Sequence, residues 1–124
     1  MKTILVIDDE SEIRELLRIF LERASFRVLQ AEDGIAGVEI LAKESVDLVI
    51  TDLLMPEQEG IETILHLRDK HPDMPILAMS GGGRMSGTLD LLHTAKLLGA
   101  YKTFSKPFNP AEVVSTIRTL LAPK

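Results

Sequence analysis

The chain contains no cysteine and no tryptophan, and only one tyrosine and four phenylalanines among its 124 residues. The first absence removes disulfides, thiolate metal sites and thiol nucleophiles together. The second leaves no indole whose fluorescence could report a conformational change. Long apolar runs are missing too. The N-terminal run from Ile4 to Ile7 breaks at Asp8 and Asp9, far short of a signal-peptide core or a spanning helix. No membrane partner is expected, and a cytoplasmic protein is the simplest reading. Nor is there an excess of positive charge: 14 Lys+Arg face 19 Asp+Glu, a net charge of −5. A sequence-independent nucleic-acid binder neutralises phosphates with clustered basic residues, so direct nucleic-acid binding is disfavoured. No glycine loop follows the first apolar run to cradle the phosphates of a nucleotide.

What is present is an ordinary globular composition, 45% hydrophobic and 27% charged. The length predicts one domain over residues 1–124. It leaves no room for a separate output module, so output is expected to pass through another molecule. Five short apolar segments read as strands: Ile4 to Ile7, Arg27 to Gln30, Leu48 to Ile50, Ile76 to Met79, and the weaker Tyr101 to Phe104. Between them the spacing turns helical, most clearly in Ile13, Leu16, Leu17, Phe20 and Leu21. Further helices are expected from about Asp33 and about Gly60. The last helix has the best start signal, with Asn109 as cap, Pro110 at the first position and Glu112 at the third. Its apolar face is Val113, Val114, Ile117, Leu120 and Leu121. Strand and helix alternate, which predicts an α/β fold with a parallel sheet covered on both faces.

Four apolar runs end in residues capable of chemistry: Asp8 and Asp9 after the first, Asp52 after the third, Ser80 after the fourth and Lys106 after the fifth. In an open parallel sheet these ends share one edge, where ligands bind at the reversal of strand order. Three carboxylates gathered there repel unless a proton or a cation relieves them. Oxygen ligands beside a phosphate suit Mg²⁺, whereas zinc finds no ligand set among scattered histidines and absent cysteines. Lys106 can hold a phosphoryl oxygen as a point charge, and the Ser80 hydroxyl can donate to a second one. An aspartate beside such a metal can attack phosphorus itself. Asp52 is best placed to do so, because it stands alone while Asp8 and Asp9 form a pair suited to the metal.

At these residues the sequence resembles the receiver domain of two-component response regulators, and looks like a single-domain, chemotaxis-type member. The resemblance runs through Val6-Ile7-Asp8-Asp9-Glu10, Asp52-Leu53-Leu54-Met55-Pro56 with Gly60 beyond, Ser80, Gly99-Ala100 and Lys106-Pro107-Phe108. It implies a flavodoxin-like (βα)5 fold with strand order 2-1-3-4-5. It also implies that Asp52 accepts a phosphoryl group from a phosphohistidine of a sensor histidine kinase or histidine phosphotransfer protein. Asp9, Asp52 and the Leu54 carbonyl would hold Mg²⁺, with Asp8 acting largely through water. Ser80 and Lys106 would contact the phosphoryl group, the Lys106-Pro107 bond would be cis, and a downstream protein target would read the switched surface.

Blander readings exist for each feature. Asp9 could simply cap a helix carrying Glu12, Ser80 could be a turn former, and Glu57-Gln58-Glu59 a solvated loop. Met55 reads as packing, and His66, His71 and His93 as incidental. Two other functions compete. A Mg²⁺-dependent phosphohydrolase working through an aspartyl phosphate usually spaces its two acids two apart, whereas Asp8 and Asp9 are adjacent. A phosphate-independent interaction module would lack the chemistry altogether. The sequence also departs from the receiver pattern. Thr103 stands where many receivers carry a switching aromatic, with Tyr101 on the same expected face and a Ser80-to-Thr103 hydroxyl relay as one substitute. The stretch from Ser80 to Lys106 is a few residues longer than usual and carries Gly81-Gly82-Gly83. The resemblance implies that Leu54 and Gly82 occupy positions where receivers tune phosphoryl lifetime.

Overall fold

A computed structural model of the chain describes residues 1–53, 60–80 and 95–123. Five strands, β1 (Thr3–Ile7), β2 (Arg27–Ala31), β3 (Leu48–Asp52), β4 (Ile76–Ser80) and β5 (Lys102–Ser105), form one parallel sheet in the order β2-β1-β3-β4-β5. Helices α1 (Ser11–Arg23), α2 (Gly34–Lys43), α3 (Gly60–Lys70) and α4 (Pro110–Leu121) connect and cover it. Residues 81–94, where a helix ahead of β5 is expected, lie outside the described residues; residues 95–97 are helical. The flavodoxin-like fold and strand order implied by the resemblance are those observed.

The central strands explain themselves. Every residue of β1, β3 and β4 is buried, and strands covered on both faces must read as continuous apolar runs. Alternate residues then feed two cores. Leu5, Ile7, Val49, Ile76 and Ala78 pack with Leu41 of α2 and with Ile64 and Leu67 of α3. Ile4, Val6, Leu48, Ile50, Leu77 and Met79 pack on the other side with Leu17 and Leu21 of α1 and with Val113 and Ile117 of α4. Edge strands β2 and β5 are only partly covered.

Helix starts follow local chemistry. The Asp33 side chain accepts the N–H of Ala36 at 2.8 Å to open α2, and Asn109 accepts the N–H of Ala111 at 2.9 Å ahead of Pro110 in α4. Two expectations shift. Leu16 lies on the outer side of α1, 37% exposed, because the stripe facing the sheet is narrower than the full apolar set. Tyr101 precedes β5 and is half exposed, although its N–H still bonds the Ile76 carbonyl at 2.8 Å. No helix among the described residues is long and apolar enough to cross a membrane.

Candidate functional site

The parallel arrangement carries the C-terminal ends of β1, β3, β4 and β5 to one edge, and the candidate residues stand there in a row. Asp52 and Ser80 are the last residues of β3 and β4, while Asp8 and Lys106 immediately follow β1 and β5. Asp8 is fully buried. Its N–H bonds the Ala31 carbonyl of β2 at 3.1 Å, and its own carbonyl accepts Nη1 of Arg14 at 2.7 Å. Both carboxylate oxygens are committed: Oδ1 accepts the N–H of Glu10 at 2.8 Å, and Oδ2 accepts Lys106 Nζ at 2.8 Å. The same ammonium lies 2.9 Å from Glu10 Oε1 and 3.5 Å from Asp52 Oδ2. Lys106 thus ties the ends of three strands together.

Asp52 is held from below by its backbone. The next N–H, of Leu53, bonds the Met79 carbonyl at 2.8 Å, and the Leu53 carbonyl accepts the N–H of Gly60 at 3.2 Å. Gly60 opens α3 so close to this turn that a Cβ there would run into Leu53 Cα and the Asp52 carbonyl oxygen. Only a residue without a side chain lets the helix begin against the acid's own peptide. Ser80 is fully buried, and its carbonyl accepts the N–H of Lys106 at 2.8 Å. Its hydroxyl has no hydrogen-bond partner among the described residues. An unused buried donor is uncommon and leaves this hydroxyl able to serve a further acceptor. The Lys106-Pro107 bond is cis, as the resemblance implied.

Electrostatics follow from this crowding. Carboxylate oxygens of Asp8, Asp9 and Glu10 lie within 4.8 Å of one another. Burial pushes the Asp8 carboxyl above its ordinary value, against the pull of the Lys106 hydrogen bond and the Glu10 N–H. Burial also works against the Lys106 ammonium, but its hydrogen bonds to Asp8 and Glu10 and the charge of Asp52 outweigh it, holding the lysine well above its usual range. Lys106 therefore stays charged at any physiological pH. The donor set is all oxygen, and it already accommodates one cation in the form of that ammonium, which fits a hard divalent ion better than a soft one.

Not every expected residue falls in the same place. Leu54, Met55, Glu57, Gln58, Glu59, Gly81, Gly82, Gly83 and His93 lie outside the described residues. The reading of Asp9 as helix cap is corrected: α1 begins one residue later, with Glu10 at the capping position and no side-chain cap bond. Asp9 is an exposed member of the acidic cluster. Glu10, quoted within the acidic motif but given no role, is the partner that sequence reasoning missed, since nothing in the chain announces a contact with a lysine so far along it. Register sets Ser105 opposite Ser80 and Thr103 opposite Ala78, and the unpartnered Ser80 hydroxyl makes no bond to Thr103. His66 and His71 are half-buried and outside the acidic cluster.

Comparison with known proteins places this geometry in context. The sequence pattern of the response regulator receiver domain matches residues 4–118. The response regulator GtcR of Aneurinibacillus migulanus is 41% identical over 120 residues, covering 97% of this chain and 48% of that protein. The transcriptional regulatory protein CpxR of Escherichia coli strain K12 is 36% identical over 121 residues, covering 98% and 50%. The chain thus spans about half the length of these curated relatives. Among solved structures, the response regulator protein TrrA of Thermotoga maritima, in complex with Mg²⁺ and BeF, aligns with a TM-score of 0.83 at 31% identity, over 98% of this chain and 100% of that one.

Proposed function

The chain belongs to the response regulator receiver domain family of two-component signalling systems, and on that premise we propose that Asp52 is its phosphoryl acceptor. The donor is a phosphohistidine on a sensor histidine kinase or a histidine phosphotransfer protein. A carboxylate oxygen of Asp52 attacks phosphorus, the new O–P bond forms as the N–P bond breaks, and the imidazole leaves with a proton. Lys106 and the Ser80 hydroxyl hold the transferred oxygens. Asp8, Asp9 and Asp52, with the carbonyl of Leu54, are the oxygens that would hold Mg²⁺, whose charge would offset that of the incoming phosphoryl group.

The observation that carries the reading is the Lys106 ammonium, buried to 10% exposure and shared between Asp8 at 2.8 Å and Asp52 at 3.5 Å. A phosphoryl group on Asp52 would meet that charge directly, with the spare Ser80 donor alongside. A phosphorylated site biases a two-state equilibrium, so residues 1–124 act as a cytoplasmic switch that alters binding to a downstream protein. The receiver itself meets proteins rather than nucleic acid, consistent with its net charge of −5. TrrA, by its description, forms a complex with Mg²⁺ and BeF, and the same pairing of metal and phosphoryl mimic is expected here.

The test is intact mass after incubation with acetyl phosphate, with and without Mg²⁺, for wild type and Asp52→Asn. One added phosphoryl group that needs both Mg²⁺ and Asp52 is the expected result. Labelling of Asp52→Asn at one alternative residue overturns the assignment. No labelling of wild type in Mg²⁺ leaves a phosphate-independent interaction module.

A further inference from the structure

A lysine ammonium has three N–H donors and no acceptor. In Lys106 one donor is taken by Asp8 at 2.8 Å, a second by Glu10 at 2.9 Å, and the third side of the ammonium faces Asp52 at 3.5 Å. Two of the three donors are therefore already committed, so a phosphoryl oxygen drawn to Lys106 competes with carboxylates that hold it, and the three are not equally held. Asp8 is fully buried with both oxygens committed, so moving it would strand the Glu10 N–H as well. Asp52 is the proposed acceptor and moves with the phosphoryl group. Glu10 is different. Its side chain is 57% exposed and reaches Lys106 from the solvent side. It stands at the capping position of α1 without capping the helix, so its carboxylate has no duty to the backbone. An exposed carboxylate that swings away is rehydrated at little cost.

We propose that Glu10 is a releasable counter-ion, competing with the phosphoryl group for Lys106 and so restraining phosphorylation of Asp52. Glu10 is a positioning residue in this scheme, since it touches the lysine and not the reacting atoms. The inference rests on the phosphoacceptor reading above and adds a regulator to it. It assigns a setting of phosphorylation rate to one exposed side chain beside the machinery, and Glu10 is replaceable without disturbing the buried Asp8–Lys106 pair.

The experiment times acetyl phosphate labelling by intact mass at saturating Mg²⁺, for wild type and Glu10→Gln, each also in a Lys106→Ala background followed over hours. The half-saturating Mg²⁺ concentration is measured for each. Labelling consists of attack by Asp52 on phosphorus with departure of acetate. Because the Glu10 end of the ion pair is exposed, Glu10→Gln is expected to lower the half-saturating acetyl phosphate concentration by about two- to fivefold. That gain should vanish in the Lys106→Ala background, as two residues acting through one contact require. An equal gain without the lysine overturns the proposal, and so does a gain explained by a shifted Mg²⁺ requirement. Equal or slower labelling of Glu10→Gln on Asp52 removes this inference alone. No labelling of wild type removes the phosphoacceptor reading and this inference with it.

Discussion

The two ends of the sheet handle charge in opposite ways. At the amino ends of the strands, Arg27 and Glu44 form an exposed ion pair, but the more enclosed Asp47 and Arg68 answer to neutral backbone. Asp47 Oδ2 accepts the N–H of Thr3 at 2.7 Å, and Arg68 donates Nη1 to the Pro72 carbonyl at 2.6 Å and Nη2 to that of Met74. Gly99, at a positive φ of 104°, turns the chain over the same arginine. Each such bond has one good arrangement. At the carboxyl ends, charges answer chiefly to each other: one ammonium is shared among three carboxylates. Charges paired this way can be redistributed when one more anion arrives. The first end fixes the fold, and the second can change state.

The largest way to break the comparison is to make the reactive end rigid by force. Gly60→Ala drives a methyl group into the Asp52 peptide, and the expected loss is about 3 kcal/mol of stability, since the contact is with backbone that cannot yield as a side chain would. A urea midpoint measures it, and slower Asp52 labelling should accompany it. Replacing Arg68 by Met probes the other end. Two carbonyls lose charge-assisted donors, so about 2 kcal/mol should go while labelling stays unchanged. Impaired labelling there would place part of the switch at the amino end.

The smallest effect has the opposite sign. Burial raises the Asp8 carboxyl above its ordinary 3.8, so the folded state binds that proton more tightly than the unfolded chain does. Its contribution to stability is complete below 3.8 and is lost as the pH rises through the folded value. Asparagine carries no such proton. Metal-free Asp8→Asn should therefore melt higher than wild type at neutral pH, and the gap should close on acidification. Melting curves across that interval decide it, and a gap that widens towards acid would mean that the Lys106 pair, not burial, governs Asp8.

Much of this was legible because buried parallel strands write themselves as apolar runs, and because catalytic groups cluster where such runs stop. Asp8, Asp52, Ser80 and Lys106 could be picked out on that basis, and the resemblance supplied the strand order. What escaped was contact across long separations. Glu10 read as one more acid in a row, because only the folded edge brings Lys106 to it. Leu16 read as core, because helical periodicity gives a stripe but not its width. Tyr101 read as strand, because an edge strand with one wet face has a weak pattern and its start is set by the neighbour it pairs with. The role of Gly60 was likewise invisible, since a missing side chain says nothing about which peptide comes near.

The bond from the Lys106 N–H to the Ser80 carbonyl staples two groups of the site at the two ends of the chain that runs from residue 81 to residue 105. The run Gly81-Gly82-Gly83 opens this stretch of the sequence. With Ser80 and Lys106 joined directly, the separation of the two groups is set by this bond and by the β4–β5 pairing rather than by the residues between them. Under the proposed function, changes between the two residues can therefore leave the phosphoryl-holding pair in place.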